Sequence, residues 1–111
     1  MAALAFIAAG GALSVVAGRR RAVDVGSGRR MHLICEGPPG NGSTIVFEAG
    51  AFGLSADWGA VQQMATLRGW RSCAYDRAGM GASDPSPEPR DAIRITADLE
   101  HLLKTAAENG P

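Results

Sequence analysis

Residues 44–58, read Thr-Ile-Val-Phe-Glu-Ala-Gly-Ala-Phe-Gly-Leu-Ser-Ala-Asp-Trp, limit the possible folds more than any other stretch. Ile45, Val46 and Phe47 form a short apolar run behind a loop containing Pro38, Pro39, Gly40, Asn41 and Gly42. Such a run, β-branched and aromatic, reads as a buried strand. Gly50 and Gly53 break it, and Ser55 and Asp57 then offer N-caps to a helix. Trp58, Val61, Met64, Ala65 and Leu67 recur at three- and four-residue spacing, an amphipathic face, and Gly69 is placed to end it in a left-handed cap. Residues 70–75 supply a second strand. Strand, helix, strand in this order implies a right-handed crossover with parallel pairing. The glycine turn between the first strand and the helix presents backbone N–H groups to an anion.

The flanking segments extend this α/β pattern. Val23 and Val25 alternate with Asp24, then Gly26, Ser27 and Gly28 turn the chain. Met31, Leu33 and Cys35 follow on one face of another strand, so the two runs read as an antiparallel hairpin. Pro85, Pro87 and Pro89 keep the stretch after residue 84 extended. Asp91 caps a last helix whose Ile95, Leu99, Leu102 and Ala106 share a face, and Asn109, Gly110 and Pro111 form its stop signal.

The first segment is different in kind. Residues 2–18 carry no charge and Arg19, Arg20 and Arg21 follow at once. As a helix this run spans about 25 Å, the short end for a bilayer crossing. The expectation is an apolar helix at residues 1–21 that anchors the chain in a membrane through residues 2–18. The alternative is a secretory signal cleaved near Val15, Val16 and Ala17, giving a secreted protein.

With 111 residues and a formal net charge of +0, the chain is at most one domain, and no excess charge points to nucleic acid. Cys35 and Cys73 fall in apolar strand patterns and are expected as buried free thiols. Without a C-x-x-C or a His/Cys cluster, neither a metal nor a cofactor is expected. His32 sits mid-strand and His101 on a helix of ordinary charged composition, both read as structural or solvated.

Tyr75, Asp76, Arg77, Ala78, Gly79, Met80, Gly81, Ala82, Ser83 and Asp84 follow the second strand directly. Together with the Glu48-Ala49-Gly50-Ala51 turn, this segment resembles the α/β-hydrolase superfamily over residues 22–111. The first motif is similar to the family's oxyanion-hole turn and the second to its Gly-x-Gly-x-Ser turn. The resemblance implies the amino-terminal part of an α/β-hydrolase sheet: a hairpin, then strand, helix, strand and helix. Residues 22–111 would form a partial hydrolase domain. By analogy the backbone N–H of Ala51, with Phe52 second, supplies one half of an oxyanion hole. Phe52, Trp58 and Met80 would line the substrate pocket. The implied activity is cleavage of an ester, amide or related bond of a small molecule by serine acyl transfer. Ala49-Gly50 stands where many members carry His-Gly, which bears on local hydrogen bonding and substrate class.

No serine lies in a G-x-S-x-G elbow, and neither histidine matches the family's catalytic one. This chain alone is therefore expected to be inactive. Asp76 and Arg77 are read as a pair that ties down the turn. Two other readings compete with this one. A nucleotide-binding Rossmann unit needs G-x-G-x-x-G, which Gly50-Ala51-Phe52-Gly53 does not provide. A non-catalytic, membrane-tethered binding module on the same scaffold would share every feature above, and the residue at the elbow would separate it from an enzyme.

Overall fold

The structure, a computed structural model, describes residues 4–9, 12–17, 19–38, 43–50, 52–87 and 89–108, with side chains from Arg20 onward. Ala51 and the stop signal at residues 109–111 lie outside the described residues.

Numbered in chain order, the strands are β1 (Leu4–Ala9), β2 (Ala12–Ala17), β3 (Arg19–Asp24), β4 (Arg30–Glu36), β5 (Thr44–Phe47) and β6 (Arg71–Tyr75). The helices are α1 (Gly59–Leu67), entered through a 3₁₀ turn at Ser55–Trp58, and α2 (Ala92–Thr105). Four strands form one mixed sheet in the order β3-β4-β6-β5. β3 and β4 are the expected antiparallel hairpin, β4 pairs antiparallel with β6, and β5 pairs parallel with β6. The parallel pair and its α1 crossover put the carboxyl ends of β5 and β6 on one edge of the sheet.

The apolar first segment is not the expected helix. Leu4–Ala9 and Ala12–Ala17 pair as antiparallel strands, with Leu4 opposite Ala17 and Ala9 opposite Ala12. Among the described residues no helix is long and apolar enough to cross a membrane. That finding overturns the anchor expected through residues 2–18 and the membrane localisation drawn from it. The composition of the run works against one helix, since each glycine costs a helix interior about 1 kcal/mol relative to alanine. Uniform apolarity alone does not separate two strands from one helix.

The core lies between the sheet and α2. Val23, Val25, Met31, Leu33, Cys35, Cys73, Tyr75 and Leu102 form one buried cluster, with Leu99 and Ala106 packed against it. This is the face the sequence spacing assigns to α2, and Asp91 caps the helix as expected, its Oδ1 accepting from the Arg94 N–H at 2.9 Å.

Helix α1 departs from expectation at its start and on its face. Ser55 and Asp57 do not cap it directly. Ser55 opens the 3₁₀ turn, while the Asp57 carboxylate accepts the Leu54 N–H at 2.9 Å. The buried residues of α1 are Gly59, Gln62 and Ala65, leaving Val61, Met64 and Leu67 exposed. Gln62 turns inward because its amide donates to the Ile34 and Ser72 carbonyls, at 3.1 and 3.3 Å. The helix ends as expected: Gly69 takes φ +79°, its N–H reaches Thr66 O, and the Trp70 N–H reaches Ala65 O. Those two bonds make a Schellman cap.

The cysteines are joined. Cys35 and Cys73 are register partners on β4 and β6 and form a disulfide, correcting the expectation of two free thiols. Their separation of 38 residues hides the pairing in the sequence. It becomes visible only once β6 lies beside β4.

Candidate functional site

Two turns meet at the carboxyl edge of β5 and β6. The first follows β5. The Gly53 N–H closes on Gly50 O at 2.8 Å, a turn across residues 50–53. Phe52 sits in this turn at φ +63° and is 90% exposed. A left-handed backbone at a bulky residue is an uncommon, costly conformation, of the kind that collects at functional sites.

The second turn follows β6 and is clamped by Asp76, buried at 4% exposure. Its Oδ1 accepts the Ser55 N–H at 2.7 Å and its Oδ2 the Ala82 N–H at 3.1 Å. One carboxylate thus links the start of the α1 crossover to the far side of its own turn. Ser83 donates its hydroxyl to Asp76 O and accepts the His32 N–H at 2.8 Å. Asp84 accepts the Arg30 N–H at 2.8 Å, so the turn is fastened to β4 as well. Gly81 is required here: at φ +51°, a Cβ would lie 2.5 Å from Asp76 Oδ2. The sequence reading of an Asp-Arg pair holding a turn is apt for Asp76, although the two residues grip different segments.

Arg77 reaches across to the first turn. Its Nη1 donates to Ala49 O at 3.0 Å and its Nη2 to Gly50 O at 2.6 Å. Glu48 completes the cluster, accepting from Tyr75 Oη at 2.5 Å and pairing with Arg77 Nη1 at 3.3 Å. Burial, and then the Glu48 carboxylate, push the Tyr75 phenol well above its ordinary range, so it stays protonated as a donor. The grip of Arg77 on residues 49 and 50 was not legible in the sequence, because 27 residues separate Arg77 from Gly50. Parallel pairing of the strands before both turns is the signal that brings them together.

The remaining candidates divide. Trp58 stacks on Phe47 with ring centroids 4.7 Å apart. Met80 lies in the second turn, its N–H bonded to Arg77 O at 2.8 Å. Ala51, first choice for the oxyanion donor, is outside the described residues. His32 is held below its usual pKa, mainly by burial and against the pull of Asp76, which favours the neutral ring of a structural residue. Cys35, Cys73 and Glu108 bring one ligand-type atom each within 4.8 Å of one another, but the two sulfurs are bonded to each other.

No family model and no curated protein matches the chain. Solved structures do. An enol-lactonase from Burkholderia xenovorans is 27% identical with a TM-score of 0.64, over 80% of this chain and 33% of its own. An epoxide hydrolase from Vigna radiata is 26% identical with a TM-score of 0.66, over 81% and 27%. A bromoperoxidase from Bacillus anthracis, at 23% identity and a TM-score of 0.67 over 80% and 32%, shares the fold. The chain carries the amino-terminal portion of the α/β-hydrolase fold. It spans about a third of the length of the hydrolase-fold structures it matches. In the hydrolase-fold portion, the hairpin β3–β4 and the β5-α1-β6 crossover are the elements expected from the sequence.

Proposed function

We propose that this chain forms the amino-terminal part of a hydrolase that cleaves an ester, amide or related bond of a small molecule by serine acyl transfer. In this reading the turn at residues 50–53 supplies one half of the oxyanion hole, with the backbone N–H of Ala51 as donor and that of Phe52 as second choice. The observation that carries the reading is the double fastening of this turn. Gly50 O is held at once by the Gly53 N–H and the Arg77 guanidinium. Oxyanion stabilisation depends on donors fixed before charge develops, and a turn tied to a guanidinium meets that demand. In this reading Phe52 and Met80, one in each of the two turns, line the substrate pocket together with Trp58, which stacks on Phe47.

The test belongs to the complete enzyme. Ala51→Gly should retain most activity, because the amide remains. Ala51→Pro removes the donor and should lower kcat by about 10²–10³-fold in a variant shown folded by circular dichroism. A folded proline variant with near-normal kcat would remove Ala51 from the mechanism. Proline is not the test for Phe52, whose φ of +63° it could not adopt.

A further inference from the structure

The two turns at the carboxyl edge leave one chemically capable group unused, the disulfide that joins β4 to β6. Cys35 and Cys73 are 2% and 0% exposed. The Arg21 side chain from β3 lies over them, its Nη2 donating to Cys35 Sγ at 3.4 Å. The same nitrogen donates to Glu108 Oε1 at 3.0 Å, and Nη1 donates to Ala106 O, at the end of α2, at 3.0 Å. A single guanidinium therefore touches the disulfide and the turn that covers it. Arg71 holds Glu108 from the other side, Nη2 to Oε1 at 2.7 Å and Nε to Oε2 at 3.0 Å. One donor remains: Arg21 Nε is buried and has no hydrogen-bond partner among the described residues.

We propose that Cys35–Cys73 is a thiol–disulfide exchange site, and that its reduction by a low-molecular-weight thiol loosens the end of α2 by drawing Arg21 from Glu108 to a Cys35 thiolate. An incoming thiolate forms a bond to Cys73 Sγ and breaks the bond between the two sulfurs. The electron pair leaves on Cys35 Sγ, beside a fixed positive charge that favours thiolate over thiol. A second thiol then attacks the mixed disulfide, leaves as the oxidised small-molecule disulfide and frees Cys73. Two thiols supply two protons; one goes to Cys73 and the other to solvent while Cys35 stays ionised. The idle Arg21 Nε becomes a donor for the new anion.

The coupling is electrostatic. In the disulfide state the sulfurs are uncharged and Arg21 shares its charge with Glu108. Reduction places a second anion within 4.8 Å of the Glu108 carboxylate. Two like charges in one partly buried site repel, and Glu108, just past the last turn of α2, loses Arg21 and is left to Arg71 alone. Both sulfurs are covered, so the reaction proceeds through transient lifting of that turn.

Reduction of the intact protein by dithiothreitol, followed by alkylation and mass spectrometry, measures the exchange rate. Hydrogen exchange of the amides at residues 106–108 measures the release. The rate should rise in proportion to dithiothreitol, and Arg21→Gln should slow it about three- to tenfold, with Arg21→Lys recovering much of the loss. Amide exchange at 106–108 should quicken at least about tenfold on reduction, with α1 unaffected. In Glu108→Gln, which keeps a hydrogen-bonding side chain without its charge, that acceleration should vanish. This second variant decides the matter if Arg21→Gln does not fold. A reduction rate independent of dithiothreitol and equal to global unfolding would overturn the proposal. So would equal exchange at 106–108 in both redox states, or an acceleration unchanged in Glu108→Gln.

Discussion

The two faces of the four-stranded sheet are completed by different means. Toward α2, β3, β4 and β6 present Val23, Met31, Leu33, Cys35, Cys73 and Tyr75, and Leu102 closes over them at 0% exposure. Strand alternation turns Ile34, Glu36, Ser72 and Ala74 to the other side, where α1 lies. There the helix buries Gln62 and leaves Val61, Met64 and Leu67 at 43%, 50% and 52% exposure. Glu36 is buried at 5%, and among the described residues neither its carboxylate oxygens nor the Ser72 hydroxyl has a hydrogen-bond partner. One face is apolar and cross-linked. The other carries buried polar groups beneath an exposed apolar stripe. On this contrast the α2 face should carry more of the stability, while α1 sets the crossover that brings Ser55 to Asp76.

The largest expected contrast is in side-chain truncation. Leu102→Ala should cost about 2–5 kcal/mol, as for other fully buried leucines. Met64→Ser, on the exposed stripe, should change stability by no more than about 0.5 kcal/mol. Urea unfolding of both variants checks this, and comparable losses would erase the asymmetry between the faces.

A smaller effect sharpens the comparison through pH. Burial raises the Glu36 pKa above the ordinary 4.5. The folded chain then binds the Glu36 proton more tightly than the unfolded chain. Its contribution to stability is therefore complete below 4.5 and is lost as pH rises through the raised folded value. Glu36→Gln keeps a neutral side chain throughout, so its Tm advantage over the native chain should grow from acid toward neutral pH. A Tm difference that stays constant across this window would mean Glu36 is not buried unpaired.

Much of the α2 face was legible in the sequence. Val23, Asp24 and Val25 before Gly26-Ser27-Gly28 announced the hairpin, and Asp91 with Leu99, Leu102 and Ala106 announced the capped helix. These are local signals, set by periodicity and by backbone groups that need a cap. What was hidden depends on neighbours far along the chain. The Cys35–Cys73 bond follows from β4-β6 register, and the inward turn of Gln62 from carbonyls of two strands. The first segment misled for a different reason, since residues 2–18 are apolar throughout and contain no period to read. At the candidate site, the strand–turn–helix pattern and the Asp76 turn were readable, whereas the left-handed Phe52 and the hold of Arg77 on Gly50 were not.

The proposed oxyanion role is tested at the atom by a crystal structure of the complete proposed hydrolase treated with an alkyl phosphonate that mimics the tetrahedral intermediate. The expected result is a covalent adduct on a serine, with the phosphonyl oxygen about 2.7–3.1 Å from the backbone nitrogen of Ala51. Arg77 should still be bonded to Gly50 O. An adduct whose phosphonyl oxygen is held by other donors, with the turn at 50–53 standing apart, would contradict it, as would a folded enzyme that forms no serine adduct.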